Sequence, residues 1–215
     1  MKVAVIGATG FVGQNLIEEL NSRGHEILAI ARDISQVHEK ENVTAKKLDV
    51  DDVTALASAL KGYGVVVSAF NAGWTNPNLY TDFLRGSKNI QHAVKESGIE
   101  RLIVIGGAGS LFIDGNQVVD GPEFPEAYKQ GAMAARDYLN IIKEEKDLSW
   151  TFFSPALEMH PGIDTGRTGS YRLGLDNPVF NNQGRSFLSV EDVAVIIADE
   201  VEMNKHPKQR FTAGY

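Results

Sequence analysis

Residues 7–13 read Gly-Ala-Thr-Gly-Phe-Val-Gly, three glycines at three-residue intervals directly after the apolar run Val3–Ile6. Each glycine suits a separate task. Gly7 permits a tight turn with backbone angles that other residues avoid. Gly10 leaves no Cβ between the backbone and an approaching diphosphate. Gly13 allows the following helix to pack close to the strand. That helix has an apolar face from Val12, Leu16 and Leu20, with Ile17 beside them. Its N-terminus offers free N–H groups and a partial positive charge to phosphates. The chemistry expected is capture of a diphosphate by main-chain amides, with Ala8, Thr9, Phe11 and Val12 supplying the backbone between the glycines. A tight turn with no ligand is the alternative.

Two further places carry candidate chemistry. The second apolar run ends in Arg32, followed by Asp33, twenty residues past Gly13. An acid near this point would hold a ribose 2′-hydroxyl, as in NAD, and an arginine would accommodate the 2′-phosphate of NADP. Adjacent residues of an extended segment point to opposite sides, so only one of them faces the ribose. NADP is the favoured cofactor and NAD the alternative; a solvated strand-end charge is the third option for Arg32. His160 precedes Pro161 just past the sixth expected strand, at the edge where open α/β sheets bind ligands. It is a candidate to donate a proton or touch substrate, or else a histidine that fixes a turn. The five histidines are scattered without metal-ligand spacing, so no metal is expected.

The elements that must position these residues follow from periodicity. Strands are expected at Val3–Ile6, Ile27–Ala31, Val43–Leu48, Val65–Phe70, Leu102–Ile105 and Trp150–Phe153, with a last one in residues 209–215. Helical spacing appears at Val53, Leu56, Ala57 and Leu60, over 77–97, over 125–145, and at Val193, Ala194, Ile197 and Val201. Ser189 with Asp192 resembles a capping box for that last helix. Strands alternating with helices imply βαβ units and a parallel sheet covered on both faces. The expected fold is therefore an α/β Rossmann-type doubly wound sheet. Residues 1–215 form one domain, in which the proline-, glycine- and asparagine-rich stretch 155–190 forms a small loop-rich C-terminal cap on the substrate side.

Composition narrows the function. The chain has 215 residues, 43% apolar and 23% charged, with a net charge of −7. An acidic chain lacks the basic footprint of a nucleic-acid binder. No run approaches the roughly 18 apolar residues of a membrane span, and Val3–Ile6 is too short for a secretory signal. There is no cysteine, hence no disulfide framework. A cytoplasmic protein acting on a small molecule is expected, as a monomer or a homodimer.

The segment "GATGFVG" resembles the signature of the extended and atypical short-chain dehydrogenase/reductase superfamily, whose spacing differs from the GxGxxG of the standard fingerprint. Segments "RLIVIGGAGSL" and "DLSWTFFSPALEMHPGIDTGRTGSYRLG" resemble a bacterial group described as NADH-flavin reductases, related to biliverdin reductase B and to NmrA-like cofactor sensors. The resemblance spans nearly the whole chain. It implies that Asp49, with Val50 beside it, contacts adenine, and that Ser68, Ala69 and Phe70 line the nicotinamide ribose. Gly106 and Gly107 would let the backbone pass close to the nicotinamide. It also implies a catalytic serine after the fifth strand, here Ser110, and a Tyr-x-x-x-Lys pair on a helix.

Tyr128 is the candidate tyrosine, but Ala132 stands four residues on and Lys129 lies about 100° round the helix. Tyr128 is therefore a pocket wall or a core aromatic, with a general acid as the alternative. Hydride transfer to a flavin or quinone ring needs no such pair, because the protein mainly positions two flat rings. Candidate walls for the acceptor are Phe70, Trp74, Leu111, Phe112, Tyr128, Phe153 and Met159. An NAD(P)H-dependent reductase is favoured. A non-enzymatic dinucleotide sensor and an epimerase or dehydratase are the alternatives.

Overall fold

A computed structural model of the protein describes residues 1–38 and 40–215. Strands β1 (Lys2–Ile6), β2 (Glu26–Ala31), β3 (Val43–Lys47), β4 (Val65–Ser68) and β5 (Arg101–Ile105) alternate with helices α1 (Phe11–Ser22), α2 (Val53–Leu60) and α3 (Leu79–Ser97). A two-stranded hairpin, β6 (Phe112–Ile113) with β7 (Asn116–Gln117), precedes α4 (Glu126–Ile142) and β8 (Ser149–Ser154). Then come β9 (Arg172–Gly174), α5 (Val190–Met203) and β10 (Gln209–Gly214). The main sheet runs β3-β2-β1-β4-β5-β8-β10-β9. All its strands are parallel except β9, which pairs antiparallel with β10. The fold is the expected Rossmann-like α/β sheet.

The sheet is apolar on both faces, so successive residues of a strand feed two cores. Ala4 and Ile6 face α2, α3 and α4, where Leu56, Phe83, Ile90, Val94, Tyr138 and Ile142 are buried. Val3 and Val5 face α1 and α5, where Leu16, Leu20, Val193 and Ile197 are buried. Each buried aliphatic side chain stabilises the fold by about 1.5–3 kcal/mol. Strand order reverses between β1 and β4, which leaves a crevice beyond their carboxyl ends. Gly7 and Ala69 lie on its two sides.

Several boundaries differ from expectation for physical reasons. β4 ends at Ser68: Ala69 N–H still donates to Ile6 O at 2.8 Å, but Phe70 turns its ring onto Phe83 of α3. β3 is an exposed edge rather than a covered strand, with Thr44, Ala45, Lys46 and Lys47 open to solvent. The connection 32–42 has no helix among its described residues to cover it. Segment 155–190 is largely irregular and contributes β9 to the sheet. It is tied to the helices beside it: Arg167 meets Glu19 of α1 at 2.8 Å, and the Thr168 N–H donates to Asp192 of α5 at 3.0 Å. Arg167 and Arg23 together hold the Glu19 carboxyl below its usual range against the opposing effect of burial.

Ser189 caps α5 as expected, accepting from Asp192 N–H at 3.2 Å. Its hydroxyl also meets the Tyr215 hydroxyl at 2.7 Å. Past α4, burial alone would raise the Glu145 carboxyl. The Asp147 N–H, the Gln91 amide and the Lys95 ammonium outweigh it and bring the group down to about 2. Replacing Ser189 with Ala should cost about 1 kcal/mol or more, read by urea unfolding. Glu145→Gln tests the second contact. A depressed carboxyl stabilises the fold fully above its ordinary value of 4.5 and loses that contribution as pH falls toward about 2. The variant should therefore be less stable than the natural protein at neutral pH, and the gap should close on acidification over that window. A constant gap would show that the ionised carboxylate contributes nothing.

Candidate functional site

The glycine turn is built by three different constraints. Gly7 has φ +83°, and a Cβ there would meet the Ala69 carbonyl oxygen at 2.4 Å. The chain is pinned at this point because the N–H groups of Gly7 and Ala8 both donate to Ile30 O, at 3.0 and 3.1 Å. Gly13 lies on the turn itself, where a Cβ would come within 2.1 Å of Gly7 O. Gly10 is different. Its N–H donates to Gly7 O at 3.0 Å, and a Cβ would touch only that oxygen, at 3.3 Å. The outer side of Gly10 is exposed, which leaves the backbone approachable. No side chain caps α1, and its first turn carries no acid. The amides of Phe11, Val12 and Gly13 therefore end in an electropositive, uncapped helix start, the arrangement that takes a phosphate.

Around this turn the other candidates take distinct places. Arg32 is exposed just past β2 and has no acidic partner among the described residues. Asp33 is engaged in its own turn, accepting from Ser35 N–H at 3.0 Å, and that bond lowers its carboxyl. Asp49 makes a similar turn, accepting from Asp51 N–H at 3.0 Å, and stays exposed. Val50 is buried: its side chain and the Phe70 ring converge on Gly86 of α3. Its side chain therefore belongs to the core. Ser68 is buried at the end of β4, and Ala69 lies against Gly7. Gly106 has a reason that sequence spacing does not show: a Cβ there would enter the Phe152 ring at 2.0 Å. Gly107 lies 3.3 Å from Ala135 of α4 by the same measure.

The proton-transfer candidates each have partners of their own. Ser110 is 1% exposed. Its hydroxyl donates to Gly107 O and meets Ser154 Oγ, both at 2.9 Å. From there it holds the loop after β5. His160 is exposed, and its Nδ1 accepts from Gly162 N–H at 3.1 Å. The ring thus closes a turn before Ile163. Tyr128 stands in the first turn of α4, edge-on to Trp74 with ring centroids 5.6 Å apart. Lys129 is drawn toward Glu126 at 3.8 Å.

Among the expected acceptor walls, Leu111 and Phe153 are core residues with no exposed surface, Phe153 being packed on Phe211. Phe70 is turned inward, Phe112 lies beneath the Arg210 guanidinium, and Met159 packs on the α1–α5 core. The pairing of Trp74 with Tyr128 was not legible, because the two are far apart in sequence and meet only when α3 and α4 pack. Among the described residues no group of three or more His, Asp or Glu is placed to hold a metal ion.

Comparison with known proteins decides the family. The model of an NAD(P)H-binding family matches residues 7–204. The chain belongs to this NAD(P)H-binding family. It is 38% identical over 215 residues to the Bacillus subtilis protein YwnB, covering 99% of this chain and 97% of that one. Among solved structures, a candidate epimerase from Bacteroides thetaiotaomicron is 41% identical, with TM-score 0.91 over 100% of this chain and 96% of the other. A candidate NADH-flavin reductase from Streptococcus pneumoniae is 33% identical, with TM-score 0.87 over 100% and 99% of the two chains. The resemblance to short-chain dehydrogenase/reductase proteins therefore holds, together with NAD(P) binding on a Rossmann-like fold. No helix among the described residues is long and apolar enough to cross a membrane.

In this NAD(P)H-binding chain Gly13 and Gly10 should fail differently. Gly13→Ala places a methyl against a fixed carbonyl at 2.1 Å, so thermal stability and dinucleotide binding should both be lost. Gly10→Ala meets only the 3.3 Å contact, so the melting temperature should hold within a few degrees while dinucleotide affinity falls about tenfold or more. Equal binding by the Gly10 variant would show that no phosphate approaches that face.

Proposed function

We propose that the protein is an NAD(P)H-dependent reductase that passes hydride to a flat conjugated acceptor of the flavin or quinone kind. The observation that carries the binding half is the uncapped glycine turn at the start of α1, with Gly10 open to the crevice between β1 and β4. The NAD(P)H-binding family and the likeness to a candidate NADH-flavin reductase support the reaction class. NADP is the favoured form. Arg32 is exposed just past β2 with no salt bridge among the described residues, while Asp33 is taken up in its own turn, so the arginine is the group available to a 2′-phosphate. Guanidinium and phosphate match in geometry and charge.

The bound dinucleotide would supply hydride from its reduced nicotinamide. The chain's own part is positional. The amides of α1 hold the diphosphate, the turn at Asp49 borders the adenine side, and the end of β4 at Ser68 and Ala69 borders the ribose. The proton that accompanies the hydride comes from water, since Ser110 is directed into the loop and Tyr128 has no lysine one turn on. The physiological acceptor is taken to be a small molecule, and the setting the cytoplasm, where reduced dinucleotide is supplied. A dinucleotide sensor is the second reading, and those same two residues favour it, because a sensor needs no proton relay.

Purified protein mixed with NADPH and FMN separates these readings through the absorbance of reduced nicotinamide. Saturable turnover supports the reductase; tight NADPH binding with no turnover across flavins and quinones supports the sensor. Arg32→Ala should weaken NADP binding by about 10- to 100-fold, the loss of one charge-assisted contact, and leave NAD binding nearly unchanged. Equal losses for both would reverse the cofactor choice.

A further inference from the structure

Four aromatic side chains among the described residues are exposed: Phe11, Phe180, Trp74 and Tyr128. Trp74 and Tyr128 are the most exposed of them, 59% and 55%, and they touch each other. Their place is defined by neighbours. The loop bearing Trp74 leaves β4 through Ala69, whose carbonyl lies against Gly7. Tyr128 stands one helical turn before Ala132, which packs on Gly109 in the loop after β5. The pair thus overhangs the carboxyl ends of β4 and β5, on the same edge of the sheet as the glycine turn.

The pair is also held in place. The Trp74 loop is closed on both sides by its own asparagines. Asn71 Oδ1 accepts from Gly73 N–H at 2.7 Å, and Asn76 Oδ1 accepts from Asn78 N–H at 2.9 Å. The Asn76 amide donates to Asp82 of α3 at 2.8 Å. The indole rests on Gly131 of α4, where a Cβ would come within 2.8 Å of Trp74 Cζ3. The Tyr128 hydroxyl has no hydrogen-bond partner among the described residues, so it is free to donate. An exposed indole on a pinned loop, beside an unused phenol, offers a stacking face and one donor. That combination fits a planar ring system with carbonyl oxygens on its rim.

We infer that Trp74 and Tyr128 form the acceptor seat, Trp74 stacking on a flat isoalloxazine- or quinone-type ring and Tyr128 donating to a ring carbonyl, an inference that rests on the reductase reading above. Gly131 is the positioning residue, since its missing side chain is what lets the indole lie against α4. Stacking gives affinity without demanding a unique ring, so the seat sets the class of acceptor rather than a single compound.

The test uses FMN with NADPH. Trp74→Leu removes the stacking face, and Tyr128→Phe removes only the donor. Gly131→Ala leaves both aromatics in the chain but drives a methyl into the indole, and alanine is the better helix former, so α4 is retained. Trp74→Leu and Gly131→Ala should each raise KM for FMN about tenfold, the scale of one lost stacking contact, with KM for NADPH unchanged. Tyr128→Phe should raise it less. FMN should also quench the indole emission of the NADP-loaded protein, and the quenching should vanish in Trp74→Leu, whose remaining Trp150 is only 3% exposed. If the natural protein reduces FMN but neither variant changes its KM, the seat is overturned and the reductase stands. If the natural protein binds NADPH yet neither FMN nor a quinone is reduced or quenches the indole, both fall.

Discussion

The structure depends on the approach of α1 to the carbonyl of Gly7. A helix start and a strand end come so close there that the helix residue can carry no side chain: a Cβ on Gly13 would sit 2.1 Å from the Gly7 oxygen. Gly7 in turn must adopt a left-handed backbone to bring that oxygen into place, and it does so against the Ala69 carbonyl. Three segments from β1, α1 and the end of β4 therefore meet with only backbone between them. This contact aims the N–H groups of α1 at the crevice. Were it relaxed by an ångström, the helix would still bury Leu16 and Leu20, but its dipole would point elsewhere.

The rest of the sheet can be understood as support for that contact. The strands β1, β4 and β5 are central and buried on both faces, so their ends are firmly placed. Loops that need adaptability leave from these ends. The loop after β5 is stiffened by Ser110 bonding to Ser154 and by Arg210 reaching Ser110 O at 3.0 Å. The loop after β4 is stiffened by its asparagines. Rigid presentation suits a loop pair that borders a dinucleotide site.

Much of this was legible beforehand, and the reasons differ by feature. The strand and helix pattern was readable because doubly buried strands are continuous apolar runs and the helices keep one apolar stripe. The capping role of Ser189 was readable because it is local. What could not be read was anything set by contacts distant in sequence. The glycine at 106 answers to Phe152, a residue from a different strand. The inward hydroxyl of Ser110 answers to Ser154. The inward ring of Phe70 answers to Gly86 and Phe83. Exposure of β3 follows from a helix missing between β2 and β3, which a short polar connection does not announce.

Glu19 near the far end of α1 has a wider effect than its position suggests. Its carboxylate is shared by Arg23 of the same helix end and Arg167 of the irregular segment before β9, while Arg23 also reaches Asp199 and Glu202 of α5. The helix that presents its amides at one end is thus moored at the other to the last quarter of the chain. Rotation of α1 about its anchored tail would swing its mouth, so the C-terminal residues act as ballast that keeps the amide-bearing end trained on one spot.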